Sequence, residues 1–383
     1  MASREIVTAA RIISGGRALE PGWLAVEDGR IAEVGEGLPP RPADRGFPEA
    51  TLVPGFVDMH VHGGGGGSYT DGVAVDVHTA VDFHRSRGTT TTLASLVSAS
   101  PDDLITHVRR LRPLVEAGVV AGIHLEGPWL SHARCGAHDP ATLRDPDPAE
   151  IANILRVGGG TIRMVTLAPE LDGGIDAVRQ FADAGVVVAL GHTEATYDRT
   201  RAAIDAGARV GTHLFNAMRP LRHREPGPVL ALLSDERVTV ELVGDGVHIH
   251  RDLATYVERV AGVGRVALVT DAMAAAGMSD GSYRLGVLDV DVVDGVARVR
   301  DTGAIAGSTA TMALLFRRAA QGLSGGDVVA AEALIAAVEM CSRTPARTLG
   351  FDGVGDLRPG LAADVLVVDD HARLVQVGTT ARR

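Results

Sequence analysis

From about residue 50 onward the chain alternates between two hydrophobic periods. Short apolar runs of strand character occupy residues 52–62, 89–95, 119–126, 161–168, 186–192, 208–213, 238–243 and 265–271. Helical stretches lie between them, among them 74–87, 101–117, 177–184 and 196–206. Strands alternating with helices in this way indicate parallel βα units. Eight such strands predict an α/β fold, a (β/α)8 TIM-like barrel. The rival is an open dinucleotide-binding sheet, but no G-x-G-x-x-G follows a strand and opens a helix. The glycine run 63–67 leads into Ser68-Tyr69-Thr70-Asp71 and reads as a flexible loop.

The two ends follow another pattern. Residues 5–35 read as short strands, and Asp28-Gly29 between 23–27 and 30–34 is a hairpin signal. The tail over 363–377 again reads as strands, turning at Asp369-Asp370-His371-Ala372. These segments predict a small β-sandwich domain formed by residues 1–53 and 346–383, with the barrel over 54–345. Tyr283–Val299 predicts a hairpin inserted after the eighth strand.

Composition narrows the chemistry. The formal net charge of -11 argues against nucleic acid, whose phosphates attract basic surfaces. The 383 residues include no lysine. That excludes a Schiff-base lysine, a phosphate-loop lysine and a carbamylated lysine bridging two metals, and leaves arginine as the permanent cation. Only Cys135 and Cys341 occur, which is no disulfide framework and fits a reducing compartment. The N-terminus carries no apolar signal core and no apolar run is long enough to span a bilayer, so the cytoplasm is expected and a membrane is not.

The candidate chemistry lies at the strand ends. His60 and His62 are two residues apart, so on an extended strand their rings point the same way. Glu126, His192 and His213 end the third, fifth and sixth strands, His248 lies just past the seventh, and Asp271 ends the eighth. In a barrel all of these meet at one rim. Imidazole and carboxylate donors suit a divalent metal: Zn²⁺ first, with Fe²⁺, Co²⁺ or Mn²⁺ also accepted. With Asp271 placed to move a proton, the set predicts hydrolysis of an amide, ester or ring C–N bond.

Several stretches resemble the amidohydrolase superfamily and, within it, the N-acetylglucosamine-6-phosphate deacetylases. They are Pro54-Gly55-Phe56-Val57-Asp58, His124-Leu125-Glu126-Gly127-Pro128, Gly191-His192-Thr193, Asp245-Gly246-Val247-His248 and Thr270-Asp271-Ala272. The pair Thr212-His213-Leu214-Phe215-Asn216-Ala217-Met218 and Arg224-Glu225-Pro226-Gly227 is specific to the deacetylase branch. The resemblance implies a homodimer acting on a small amino-sugar phosphate. It would convert N-acetyl-D-glucosamine 6-phosphate to D-glucosamine 6-phosphate and acetate, in amino-sugar catabolism or recycling. It implies Glu126, His192 and His213 as metal ligands, Asp271 as the acid-base and His138 as a helper at the acetyl carbonyl or the sugar. It also implies substrate contacts from Ala137, Asn216, Ala217, Arg224, His248, Ile305, Ala306 and Gly307. Some members of this branch lack the His-x-His pair and use one metal. Here His60 and His62 are intact, so one or two metals per subunit are expected, with Glu126 and Asp271 able to touch the second. The alternatives are another amidohydrolase, D-aminoacylase-like or a cyclic amidase, and a non-catalytic scaffold on the same fold. A scaffold should show gaps among the metal ligands, and none appears.

Overall fold

A computed structural model describes residues 4–326 and 328–379. The chain divides into two compact units, one of residues 59–84 and 92–311, the other of the segments up to 58, 85–91 and from 312 onward.

Eight short strands pair in chain order in one sheet, from Phe56–Asp58 through Thr89–Leu96, Gly122–Glu126, Ile162–Leu167, Val187–Leu190, Val210–Gly211 and Thr239–Leu242 to Val266–Leu268. The ring is completed past the last of them: Asp271 N–H donates to the His60 carbonyl (2.8 Å) and His62 N–H to the Ala272 carbonyl (2.7 Å). This is the (β/α)8 barrel that the alternating pattern predicts. Its strands are largely buried because both faces are covered; every residue of Gly122–Glu126 is buried.

The helices between them are set by local chemistry. Pro101–Glu116 begins where the Ser100 hydroxyl accepts the Asp103 N–H (3.2 Å), with Pro101 at the first position, where a missing N–H costs nothing. Leu104, Val108 and Leu111 then recur on one face and are buried. Tyr197–Ala206 starts the same way, with the Thr196 hydroxyl accepting the Arg199 N–H.

The inserted segment is a three-stranded antiparallel sheet, Gly281–Leu285, Leu288–Val293 and Val296–Val299, turning through Asp294 (φ 52) and Gly295 (φ 73). Its inner face, Leu285, Val290, Val292, Ala297 and Val299, packs with Met273, Ala275 and Ala306. Val97 and Ala137 lie against the same cluster, so the insertion builds a wall beside the strand ends.

In the other unit the terminal segments make one seven-stranded sheet. Its order is Leu374–Thr379, Asp364–Val368, Arg45–Pro54, Glu5–Ser14, Gly22–Glu27, Arg30–Glu36, with Arg17–Leu19 beside Glu5–Ser14. The expected Asp28-Gly29 hairpin is present, both residues at positive φ (49 and 73). Its core gathers Ile12, Leu24, Ile31 and Leu52 from the first segment with Leu357 and Val367 from the second. Among the described residues no helix is long and apolar enough to cross a membrane.

Candidate metal centre

Most of the strand-end residues lie beyond the strands rather than in them. Glu126 is the last residue of its strand, but His60, His192 and His213 follow theirs by two residues and Asp271 by three. The cause is backbone conformation. His192 (φ 48), His213 (φ 26) and Asp271 (φ 48) are in the left-handed region, which ends the ladder and turns each side chain inward. A non-glycine residue held there costs on the order of 1–3 kcal/mol, and such strain gathers at functional sites.

With these three turned inward, six donors come together. His60, His62 and Asp271 form one group and Glu126, His192 and His213 another, the ligand atoms of each lying within 4.8 Å of one another. In the first, His60 Nε2 is 3.3 Å from His62 Nε2, and Asp271 Oδ1 lies 3.6 and 3.3 Å from the two. In the second, His192 Nε2 and His213 Nε2 are 3.1 Å apart and lie 3.2 and 3.1 Å from Glu126 Oε1. Glu126 faces both groups: its Oε2 is 3.0 Å from His62 Nε2 and 3.4 Å from His60 Nε2. One of its oxygens thus faces each group.

Three imidazoles are fixed from behind. Nδ1 of His62 donates to the Ser95 carbonyl (3.1 Å), that of His192 to the Arg134 carbonyl (2.8 Å), and that of His60 to Glu241 Oε2 (3.0 Å). With the proton on Nδ1, each Nε2 presents a lone pair to the site, as a metal ligand must. The donor set therefore fits a divalent ion. Burial resists charging His60 and His62, but the neighbouring carboxylates outweigh it, holding His60 well above an ordinary imidazole and His62 at about 9. Burial likewise opposes the charge on Asp271, yet His60 and His62 hold it below the usual carboxylate range. Protons and metal thus compete for the same atoms.

The remaining site residues surround a cavity of about 330 Å³. Ala137, His138, Asn216, Ala217, His248, Ile305 and Gly307 line it, as do His62, Glu126, His192, His213 and Asp271. His138 Nδ1 accepts the Ser98 N–H (3.2 Å), which leaves the proton on Nε2, 3.5 Å from Glu126 Oε2. Burial drives its pKa down to about 4, so it is a neutral hydrogen-bond donor. His248 is the opposite case: burial opposes its charge, but Nδ1 lies 2.8 Å from Asp245 Oδ2 and that bond raises its pKa.

His60 joins its expected group of metal donors, fully buried behind the cavity wall. Two expected substrate contacts are placed differently. Ala306 is packed in the core of the inserted sheet rather than lining the cavity. Arg224 is exposed and outside the wall, and Glu225 pairs with Arg219 (2.8 Å). Sequence reasoning missed Arg134, a cation in the wall that pairs with Glu194. It also missed Glu241, whose signal is a lone carboxylate in the apolar run 238–243.

Comparison with known proteins agrees with this geometry. The amidohydrolase family profile matches residues 51–381, and the chain belongs to that family. An N-acetylgalactosamine-6-phosphate deacetylase of Escherichia coli O157:H7 is 37% identical over 97% of each chain. An N-acetylglucosamine-6-phosphate deacetylase of Lysinibacillus sphaericus is 33% identical over 92% of this chain and 90% of its own. Among solved structures, an N-acetyl-D-glucosamine-6-phosphate deacetylase from Mycobacterium smegmatis, in complex with N-acetyl-D-glucosamine-6-phosphate, superposes with a TM-score of 0.95 at 52% identity over 98% of each chain. Within the family the chain sits with the N-acetylglucosamine-6-phosphate deacetylases.

Proposed function

We propose that this chain hydrolyses the N-acetyl group of N-acetyl-D-glucosamine 6-phosphate, releasing acetate and D-glucosamine 6-phosphate, in amino-sugar catabolism or recycling. The observation that carries the reading is the cavity itself. Metal donors of both groups line it, His62 and Asp271 from one and Glu126, His192 and His213 from the other, together with the neutral imidazole donor His138, the cation Arg134, and His248. The substrate-bound relative at 52% identity supports the choice of sugar phosphate.

Glu126, His192 and His213 would hold one divalent ion and His60, His62 and Asp271 a second, with Zn²⁺ the first choice and Fe²⁺, Co²⁺ or Mn²⁺ as substitutes. When bound, such an ion supplies Lewis acidity and a water of lowered pKa. Asp271 then takes a proton from the attacking water and returns it to the departing amine nitrogen. His138, neutral and with its proton on Nε2, donates to the acetyl carbonyl oxygen as charge develops there. Asn216, Ala217, Ile305 and Gly307, which line the cavity, position the sugar.

The 6-phosphate is read by His248, held toward its charged form by Asp245, and by arginine, whose planar fork matches phosphate oxygens. We assign that role to Arg224, on the exposed segment that follows Asn216 and Ala217. Arg224→Ala should lower kcat/KM for the 6-phosphate far more than for unphosphorylated N-acetylglucosamine. Equal losses on both would remove Arg224 from phosphate reading and leave it to Arg134 and His248.

The chain is expected to act in the cytoplasm as a homodimer. Leu221, Leu230, Leu253 and Tyr256 are exposed and line one groove with Phe215 and Val260, an apolar face suited to a second copy. A light-scattering mass of one chain at assay concentration would refute the dimer.

The test of the reading is acetate release from N-acetylglucosamine 6-phosphate, N-acetylgalactosamine 6-phosphate and the plain sugars. The glucosamine 6-phosphate should be preferred. Release only from N-acyl amino acids or cyclic amides would favour another amidohydrolase activity. Metal-loaded protein releasing nothing would favour a scaffold.

A further inference from the structure

The four ligand imidazoles are not supported alike. His62 and His192 donate to main-chain carbonyls, which no side-chain substitution removes. His60 donates to a side chain, Glu241 Oε2, at 3.0 Å. His213 Nδ1 has no hydrogen-bond partner among the described residues. What holds His213 is its own backbone N–H, which donates to the same Glu241 oxygen at 3.1 Å. A single oxygen atom therefore grips one member of each ligand group.

The setting of Glu241 makes this costly. It sits in the strand Thr239–Leu242 with 0% exposure, between Val240 and Leu242, and its Oε1 has no hydrogen-bond partner among the described residues. A buried carboxylate with one bare oxygen destabilises a fold. The compensating gain lies in what Oε2 holds. The bond to His60 Nδ1–H selects the tautomer whose Nε2 faces the donors. The bond to His213 N–H pins a residue at φ 26, a conformation its own residue type disfavours.

We propose that Glu241 is the positioning residue of the centre. It sets the His60 ring and the His213 main chain together, and so couples metal retention in the two ligand groups. The inference rests on the metal reading of the site, and its test reads metal binding rather than turnover.

Zinc affinity and stoichiometry would be measured by chelator competition and elemental analysis on the wild-type chain, Glu241→Gln and Glu241→Ala, with circular dichroism of each metal-free protein as the folding control. The expected result is zinc in both groups of the wild type and affinity about ten- to a hundredfold weaker at both in Glu241→Ala. Glu241→Gln, whose amide oxygen still accepts both bonds, should recover most of that loss. A folded Glu241→Ala with wild-type affinity overturns the proposal, and a loss confined to one ion overturns the coupling. If the alanine variant fails to fold, nitrogen NMR of the zinc-loaded wild type decides. His60 protonated on Nδ1 is the expected state, and His60 protonated on Nε2 overturns the proposal. A wild type that takes up no zinc or other divalent ion fails at the metal reading itself, a separate outcome that removes the proposal with it.

Discussion

Asp271→Asn is expected to keep its metal and bind substrate while turnover falls by roughly 10²-fold or more, the scale of a lost acid-base group. Asp271 Oδ1 lies 3.3 Å from His62 Nε2 and 3.6 Å from His60 Nε2, so it is both a member of the first ligand group and a wall of the cavity. Asparagine keeps an oxygen at that place, and so keeps the contact. It cannot take a proton from water or hand one to the amine. Deacetylation needs both transfers, because an amine leaves poorly unless protonated. The measurement is kcat and KM together with metal content: a fall in kcat with both ions retained supports the role. Near-normal kcat would remove it.

Glu126→Ala should be more severe. Its two oxygens are divided between the groups, Oε1 toward His192 and His213 and Oε2 toward His60 and His62. The imidazoles around this buried carboxylate hold its pKa well below the usual carboxylate range against the opposing effect of burial, so it is a charged donor. Removing it leaves His192 and His213 facing each other with no carboxylate between them, and takes from His60 and His62 one of the carboxylates they face, Asp271 being the other at the donor atoms. Both ions should be lost. Lewis-acid stabilisation is worth several kcal/mol and about 1.4 kcal/mol is a tenfold change, so turnover should fall by roughly 10³-fold or more. Loss of one ion with the other retained at full affinity would show that Glu126 does not serve both groups.

How much of this was legible in the sequence depends on which physical rule governs each residue. The barrel follows from apolar runs alternating with helical stretches, a signal carried by the whole chain. The convergence of His60, His62, Glu126, His192, His213 and Asp271 follows from that topology, since all strands of a parallel barrel end at one rim. The conformations that aim them do not. His192, His213 and Asp271 turn inward through left-handed backbone, which no residue type there announces. His60 and His62 do lie side by side, but not through strand periodicity: the strand ends at Asp58 and the two rings meet in the segment that follows. Arg134 was invisible as a ligand support because its carbonyl, not its side chain, holds His192. Glu241 could have been found: a carboxylate in the middle of a buried strand needs a partner, and at this rim the candidates were the imidazoles. Arg224 was assigned from its motif, and only the fold reveals that its segment is exposed.

The central claim, that these six side chains hold the ions at which the acetyl group is removed, is tested most directly by anomalous diffraction. Crystals of protein prepared without chelator would be measured on either side of the metal's absorption edge, with acetate release assayed on the same preparation. The expected map has one peak among Glu126, His192 and His213 and a second among His60, His62 and Asp271, in protein that deacetylates N-acetylglucosamine 6-phosphate. Active protein with no anomalous peak within reach of these side chains would contradict the account.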